Sequence, residues 1–421
     1  MKYTNFSRRS FLQTVGFGAA AMGMPRVSPA RDATDEAPGA EKRAVDKMVS
    51  RTDEIVEEHD PDYMPANTEA SKGWQPVSDR KIRVGIVGYG ACHFGALFGF
   101  QDHPNVEVVA VSDLFPDRCR DLAKSCRCSK TYPSLEKLVT DDSIEAVFVA
   151  TDAPSHARHC MDVLKHGKHV ASAVPAVFGS LEDAEKLFEA VKKSGLKYMM
   201  FETSCFHEDL HAMRQAYNAG ILGKLVYTEG EYYHYAEQPT DSYKQWRVGL
   251  PPQWYPTHSN AYHVCVSWES FTEVSCLGLP SLIQDLQPGA NRYKNRFGTE
   301  IALLRTSGGG MSRMAVSWDT PGMEGEMGRV RGQKGSFGKN YHGLAEDLPD
   351  FRRPPLPPKV APGDHGGSHG YLMNEFVTAI LQDRKPLVDI TAALNLTVAG
   401  VVAHQSALKG GERMKIPQFK L

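Results

Sequence analysis

The chain has 421 residues, 41% of them hydrophobic, with 48 Lys and Arg against 50 Asp and Glu for a formal charge of -2. That length is enough for more than one domain, and the near balance of charge excludes the basic surface that nucleic acid requires of a partner. No apolar run is long enough to cross a membrane as a helix.

Residues 1–30 read as an address. Ser7-Arg8-Arg9-Ser10-Phe11-Leu12 is a twin-arginine pattern, followed by a mildly apolar stretch from Val15 to Met24 and a small-residue exit at Ser28-Pro29-Ala30. The expectation is export and a periplasmic location. Removing the leader takes away Lys2, Arg8, Arg9 and Arg26 and no acid, which moves the formal charge to about -6. Twin-arginine export carries folded proteins, so a cofactor acquired inside the cell would travel with the chain. With little free dinucleotide outside to exchange with, a hydride taken from a substrate should be handed back while the cofactor stays bound. Residues 31–80 are polar and mix acid with base, either as a mobile spacer or as an arm that docks on the body or on a neighbouring subunit.

From Lys81 the pattern changes. Ile82 to Val87 is a short β-branched run ending at a pair of glycines, a helix-length segment follows, and a second run spans Val106 to Ser112. This is a βαβ unit. Gly88 and Gly90 fall where the strand must turn sharply and where backbone must approach a pyrophosphate, with Ala91, Cys92 and His93 following. The third glycine of the usual G-x-G-x-x-G spacing is displaced: His93 holds its place, and Gly95 comes two residues later. Asp113 closes the second strand, where a carboxylate holds a ribose 2′-OH; that acid favours NAD over NADP, whose 2′-phosphate it would repel. Further strands at Glu145 to Ala150, Lys168 to Ser172 and Lys197 to Phe201 alternate with helical patterns at Ser155 to His166 and Leu181 to Ser194. The fold class is α/β, a doubly wound parallel Rossmann sheet over residues 81–201. Its carboxyl end places Thr151, Pro154, His156, Ala173 and Pro175 at the cofactor.

Beyond Phe201 comes a second, α+β domain over 202–421. A helix over His207 to Gly223 precedes runs suited to a mostly antiparallel open sheet at Leu225 to Tyr235, Glu273 to Leu277, Glu300 to Thr306, Ser312 to Trp318 and Met327 to Gly332. The proline-rich segment Asp347 to Asp364 reads as an extended surface arm, and two helices, Tyr371 to Gln382 and Thr391 to Lys409, close the chain. Exposed sheet edges suit a homo-oligomer. The eight cysteines of a chain folded before export are expected to be free and mostly buried. Cys126 and Cys128 lack the second pair of a zinc site, so no metal is expected.

The densest polar and aromatic segment holds Tyr232-Tyr233-His234-Tyr235, Gln245-Trp246-Arg247 and Trp254-Tyr255-Pro256-Thr257-His258. Aromatic faces and one arginine among neutral donors suit a sugar, with His234, Trp246 and Arg247 binding it; the plainer alternative is a packed sheet edge. Hydride departure from a carbinol carbon also requires removal of the hydroxyl proton, and His258 is the expected base. Tyr255 can serve a second oxygen, and Glu202, at the end of the last parallel strand, can orient the substrate or share the base role. In His365-Gly366-Gly367-Ser368-His369 a glycine-rich turn brings His369 toward the cleft, or Ser368 caps the following helix.

The strand-glycine opening, Thr151-Asp152-Ala153-Pro154-Ser155-His156, the proline after the fifth strand and the following sheet domain together resemble the Gfo/Idh/MocA oxidoreductases, from Lys81 to the C-terminus. With the twin-arginine leader, Tyr255-Pro256-Thr257-His258 is similar to the branch of NAD-dependent α-N-acetylgalactosaminidases. That resemblance implies that Tyr255 and His258 line a sugar site. It also implies a bound NAD that oxidises a sugar hydroxyl, permits elimination of the glycosidic bond and addition of water, and returns the hydride. Where many members of the family carry Glu-Lys-Pro, and this branch Glu-Val-Pro, the chain has Ala173-Val174-Pro175. Carbohydrate oxidoreductase, redox-neutral glycosidase and silent sugar- or dinucleotide-binding protein all remain open.

Overall fold

The structure is a computed structural model that describes residues 71–90, 92–236 and 241–421. The leader, most of the polar segment after it, and Ala91 lie outside the described residues.

The first sheet has six parallel strands: β1 (Ile82–Val87), β2 (Val106–Ser112), β3 (Thr131–Tyr132), β4 (Ala146–Val149), β5 (His169–Ser172) and β6 (Tyr198–Met200), in the order β3-β2-β1-β4-β5-β6. Helices cover both faces, so the central strands are apolar almost without interruption; every residue of β4 is buried. Strand order reverses at β1, which pairs with β2 on one side and β4 on the other. A crevice opens there at the carboxyl ends.

The segment after β1 departs from expectation. It forms one turn, α1 (Phe94–Leu97), then breaks at Gly99 before a 3-10 turn at Phe100–Asp102. Gly90, His93 and Gly99 all have positive φ, which a continuous right-handed helix cannot contain. Regular helices follow later strands: α2 (Pro116–Ser125), α3 (Leu135–Leu138), α4 (His156–Lys165) and α5 (Leu181–Ser194), the last capped by Ser180, whose hydroxyl accepts the Asp183 N–H.

After α6 (Glu208–Asn218) an eight-stranded sheet forms from β7 (Leu225–Tyr233), β8 (Phe271–Pro280), β9 (Phe297–Thr306), β10 (Met311–Ser317), β11 (Gly325–Gly332), β12 (Gly335–Phe337), β13 (Tyr341–Gly343) and β14 (Met414–Lys415), in the order β13-β12-β11-β7-β10-β9-β8-β14. Pairing is antiparallel except between β7 and β10. Two helices, α7 (Thr257–Ser267) and α9 (Ile390–Leu408), pack on its inner face. The remaining helix, α8 (His369–Leu381), starts at His369, and the Ser368 side chain makes no capping bond, contrary to the cap reading. Nor is the proline-rich arm purely superficial, because Leu356 and Val360 anchor it in the core. All eight cysteines are free. No helix among the described residues is long and apolar enough to cross a membrane.

Candidate active site

The crevice at the carboxyl ends of β1, β2 and β4 is lined by Gly88, Gly90, Cys92, Asp113, Thr151, Trp246 and Arg247, among others. Gly88 has φ +95, and a Cβ there would strike the Ala150 carbonyl, so only glycine lets β1 turn so close to β4. Gly95 replaces the displaced third glycine, since its own Cβ would meet the Gly88 carbonyl. Gly90, with φ +66, has no atom within 4 Å of where its Cβ would stand. The Asp113 carboxylate is held by two backbone donors: Tyr89 N–H reaches Oδ2 at 2.8 Å and Phe115 N–H reaches Oδ1 at 2.9 Å. A glycine turn, an anchored carboxylate at the end of β2 and a cleft between them fit a dinucleotide.

Other residues assigned to the cofactor from sequence sit differently. His93 is exposed, with its ring stacked on Tyr89 at 4.3 Å. His156 is buried and both of its ring nitrogens face carbonyl oxygens, Pro175 at 2.9 Å and Thr151 at 3.0 Å. It ties the loop after β4 to the loop after β5. Pro154 is exposed on the turn before α4, while Ala173 and Pro175 follow β5 outside the crevice lining.

The proposed chemical residues converge. Glu202, fully buried two residues beyond β6, places Oε1 2.8 Å from Nδ1 of His258 in the first turn of α7. Ser204 N–H donates to the same oxygen at 3.0 Å. Burial alone would raise the Glu202 carboxyl, but the His258 charge and its hydrogen bonds bring it below the usual range. Burial likewise favours neutral His258, yet the neighbouring Glu202 carboxylate outweighs it and raises the imidazole. Each draws the other toward its charged form, and every polar contact of His258 among the described residues is made through Nδ1.

Tyr232 and Tyr255 flank His258, with ring centroids 4.6 and 5.6 Å from it. Beside them a small pocket is lined by Tyr232, His234, Arg247, Tyr255 and Trp318. Arg247 borders both this pocket and the dinucleotide crevice, its guanidinium 4.3 Å above the Trp246 ring. Sequence reasoning missed Glu326, whose Oε1 is 3.5 Å from His258 Nδ1. Its signal was the β11 alternation, which turns Glu326 inward opposite Tyr232. His369 is buried and its Nε2 lies 3.0 Å from His365 Nδ1. No group of three or more His, Cys, Asp or Glu among the described residues is arranged to hold a metal ion.

Residues 82–202 match the Gfo/Idh/MocA family, an oxidoreductase family with an NAD-binding Rossmann fold, and the chain carries that family's nucleotide-binding domain. Its relatives include glycosyl hydrolase family 109 protein 1 of Bacteroides thetaiotaomicron, 30% identical over 179 residues that cover 40% of this chain and 38% of that protein. The chain therefore spans well under half the length of the curated relatives it matches first. A family 109 protein of Streptomyces niveus is 23% identical over 386 residues, covering 80% of this chain and 77% of its own.

Among solved structures, an oxidoreductase domain protein from Kribbella flavida shares the fold with a TM-score of 0.66 at 18% identity, covering 80% of this chain and all of that one. The WlbA dehydrogenase from Bordetella pertussis, in complex with NADH and UDP-GlcNAcA, superposes at 0.65 with 19% identity over 81% and 99% of the two chains. Levoglucosan dehydrogenase, in complex with NADH and levoglucosan, gives 0.65 at 14% identity over 80% and 100%.

Proposed function

We propose that the protein is an NAD-dependent oxidoreductase acting on a carbohydrate at a hydroxyl-bearing carbon. The observation that carries this reading is Arg247, which borders both the dinucleotide crevice and the aromatic pocket next to the Glu202–His258 pair. Gly88, Gly90, Cys92 and Thr151 would hold the dinucleotide, with Asp113 on a ribose hydroxyl. When bound, the cofactor supplies reversible hydride acceptance at the carbinol carbon. His258 takes the hydroxyl proton at Nε2 while Glu202 fixes Nδ1 and balances the resulting charge. Tyr255 and Arg247 orient a neighbouring substituent, and Tyr232 and Trp246 offer rings for stacking.

The leader pattern at Arg8-Arg9 favours a second, redox-neutral variant. An exported chain that keeps its cofactor would oxidise a glycoside, eliminate the aglycone, add water and restore the alcohol; the names of the family 109 relatives point the same way. In this reading the protein is periplasmic and holds NAD tightly.

The test begins with protein purified without added cofactor. It is denatured, and the supernatant is examined by mass spectrometry for dinucleotide. Near-stoichiometric NAD is expected, after which a panel of p-nitrophenyl glycosides should be cleaved with no NAD added. Protein that emerges empty and reduces added NAD on free sugars would replace the carried-cofactor reading with an ordinary dehydrogenase. Failure to turn over any member of either panel would favour a silent binding protein.

A further inference from the structure

His258 has more negative charge gathered at one atom than a single carboxylate partner supplies. Its Nδ1 is surrounded by Glu202 Oε1 at 2.8 Å, the Ser204 and Thr203 hydroxyls at 3.3 and 3.4 Å, and Glu326 Oε1 at 3.5 Å. Nε2 makes no polar contact among the described residues, so a reacting hydroxyl has that edge of the ring to itself. One hydrogen on Nδ1 serves the nearest oxygen, that of Glu202. Glu326 is left with attraction and no hydrogen bond.

Glu326 stands where a role in holding the fold would not put a charge. The strand register sets it opposite Tyr232 on the inner face of β11, in the row continued by Gly328 and the buried Val330. Its side chain is 13% exposed, against 0% for Glu202. Among the described residues His258 is its one ionic partner, and a second carboxylate already occupies that partner. The acids of the outer face are placed differently, since Glu229 there engages both Arg313 and Arg329. A largely buried carboxylate with no hydrogen bond of its own, set beside another carboxylate, destabilises the fold. What it acts on is His258.

We propose that Glu326 is a positioning residue for the base: together with Glu202 it holds the Nδ1 edge of His258, keeps Nε2 turned to the substrate, and stabilises the imidazolium formed when the hydroxyl proton is taken. The proposal rests on the reading of His258 as the base. Glu202 supplies the fixed hydrogen bond from a sealed position, and Glu326 supplies charge through space from the sheet. Nε2 takes the hydroxyl proton, the O–H electron pair stays on the substrate oxygen, and Nδ1 keeps its own hydrogen. The charge that the ring gains then lies between two carboxylates. The titratable groups facing His258 are Glu202, Glu326, Arg247, Tyr232, Tyr255 and His365. Burial pushes its pKa down; Glu202 and then Glu326 push it up past that, against Arg247.

The test compares the protein as purified with Glu326→Gln, which removes the charge at nearly constant shape, and Glu326→Asp, which keeps the charge one methylene further away. Nitrogen-15 histidine spectra, with the His258 signal identified by its loss in His258→Asn, should show the His258 titration falling by about one pH unit in Glu326→Gln and by less in Glu326→Asp. Above the pH at which His258 loses its charge, the thermal midpoint of Glu326→Gln should equal or exceed the parent's. A midpoint well below it there marks a residue that holds the fold and overturns the proposal. On the p-nitrophenyl glycoside or free sugar that the parent turns over fastest, Glu326→Gln should lower kcat by about tenfold, part of the roughly 10²–10⁴-fold that a general base supplies. KM should stay at the parent value, the acid limb of kcat/KM should move to lower pH with the titration, and Glu326→Asp should restore part of both. A raised KM with kcat intact makes Glu326 a substrate ligand and overturns the positioning role, as does a Glu326→Gln variant whose titration and kcat match the parent's. A parent that turns over neither panel, or a His258→Asn variant that keeps full turnover, removes the reading beneath the proposal and the proposal with it. Either is seen before Glu326→Gln is compared.

Discussion

Glu202 and His258 occupy a place where neither charge would persist alone. Removing His258 leaves the Glu202 carboxylate buried and uncompensated, which costs about 3–5 kcal/mol, whereas removing Glu202 leaves His258 with the Glu326 carboxylate 3.5 Å from Nδ1. The pKa directions fix where the pair stabilises the fold. Glu202 is depressed, so its contribution is present above its unfolded value near 4.5 and is lost as pH falls through the lower folded value. His258 is raised, so its contribution is complete below 6.5 and is lost as pH rises through the higher folded value. Both are fully present between 4.5 and 6.5, and the denaturation midpoint of the parent should exceed that of Glu202→Gln most in this window. Kinetics give a separate expectation. A base must be neutral, and Glu202 holds His258 protonated to higher pH, so Glu202→Gln should shift the acid limb of kcat/KM toward lower pH while reducing the plateau. An acid limb that does not move would show that His258 is not the titrating base.

At the level of elements, His258 depends on how deeply α7 is set into the second sheet. Gly230 on β7 and Gly328 on β11 stand directly opposite each other and together open a groove on the inner face. A Cβ on Gly230 would strike the Ser259 carbonyl, and one on Gly328 would strike the Tyr262 ring. Gly230→Ala should therefore push α7 outward, at a cost of about 1–3 kcal/mol, and lower kcat while NAD content stays at the parent level. Loss of NAD together with activity would indicate general unfolding instead. This helix was also the least legible part of the sequence. Every residue from Thr257 to Ser267 is buried, including Ser259, Asn260 and His263, so no polar face marks its period. Asn260 Nδ2 donates to the Leu396 carbonyl at 2.7 Å, a long-range contact that local pattern cannot announce. The Rossmann strands were legible for the opposite reason: burial on both faces writes them as continuous apolar runs. The crowded glycines within β7 and β11 were the available clue to α7, since glycine inside a strand marks a close approach of backbone. His156 was misplaced because position after a strand does not reveal that both of its nitrogens turn inward to carbonyls.

Across the whole molecule, the two faces of the second sheet have different chemistry. Tyr232, Gly230, Glu326 and Val330 point inward to α7 and the site, whereas Leu277, Leu279, Leu303, Met311 and Met327 alternate to the outer face and remain exposed. The charged groups on this outer face are largely paired among themselves: Glu229 engages Arg313 and Arg329, and Arg313 also engages Glu231. A face whose ions are already matched and whose remainder is aliphatic presents little that repels its own copy, and isologous pairing would bury the exposed side chains. The expected state is a homodimer through this face, with both active sites on the far side of the sheet. Sedimentation velocity should give the dimer mass for the parent, and Leu303→Glu, which sets a carboxylate near the centre of the face, should shift it to monomer with NAD content unchanged. A parent that sediments as a monomer at all concentrations, or a Leu303→Glu variant that keeps the dimer mass, would locate self-association elsewhere or remove it.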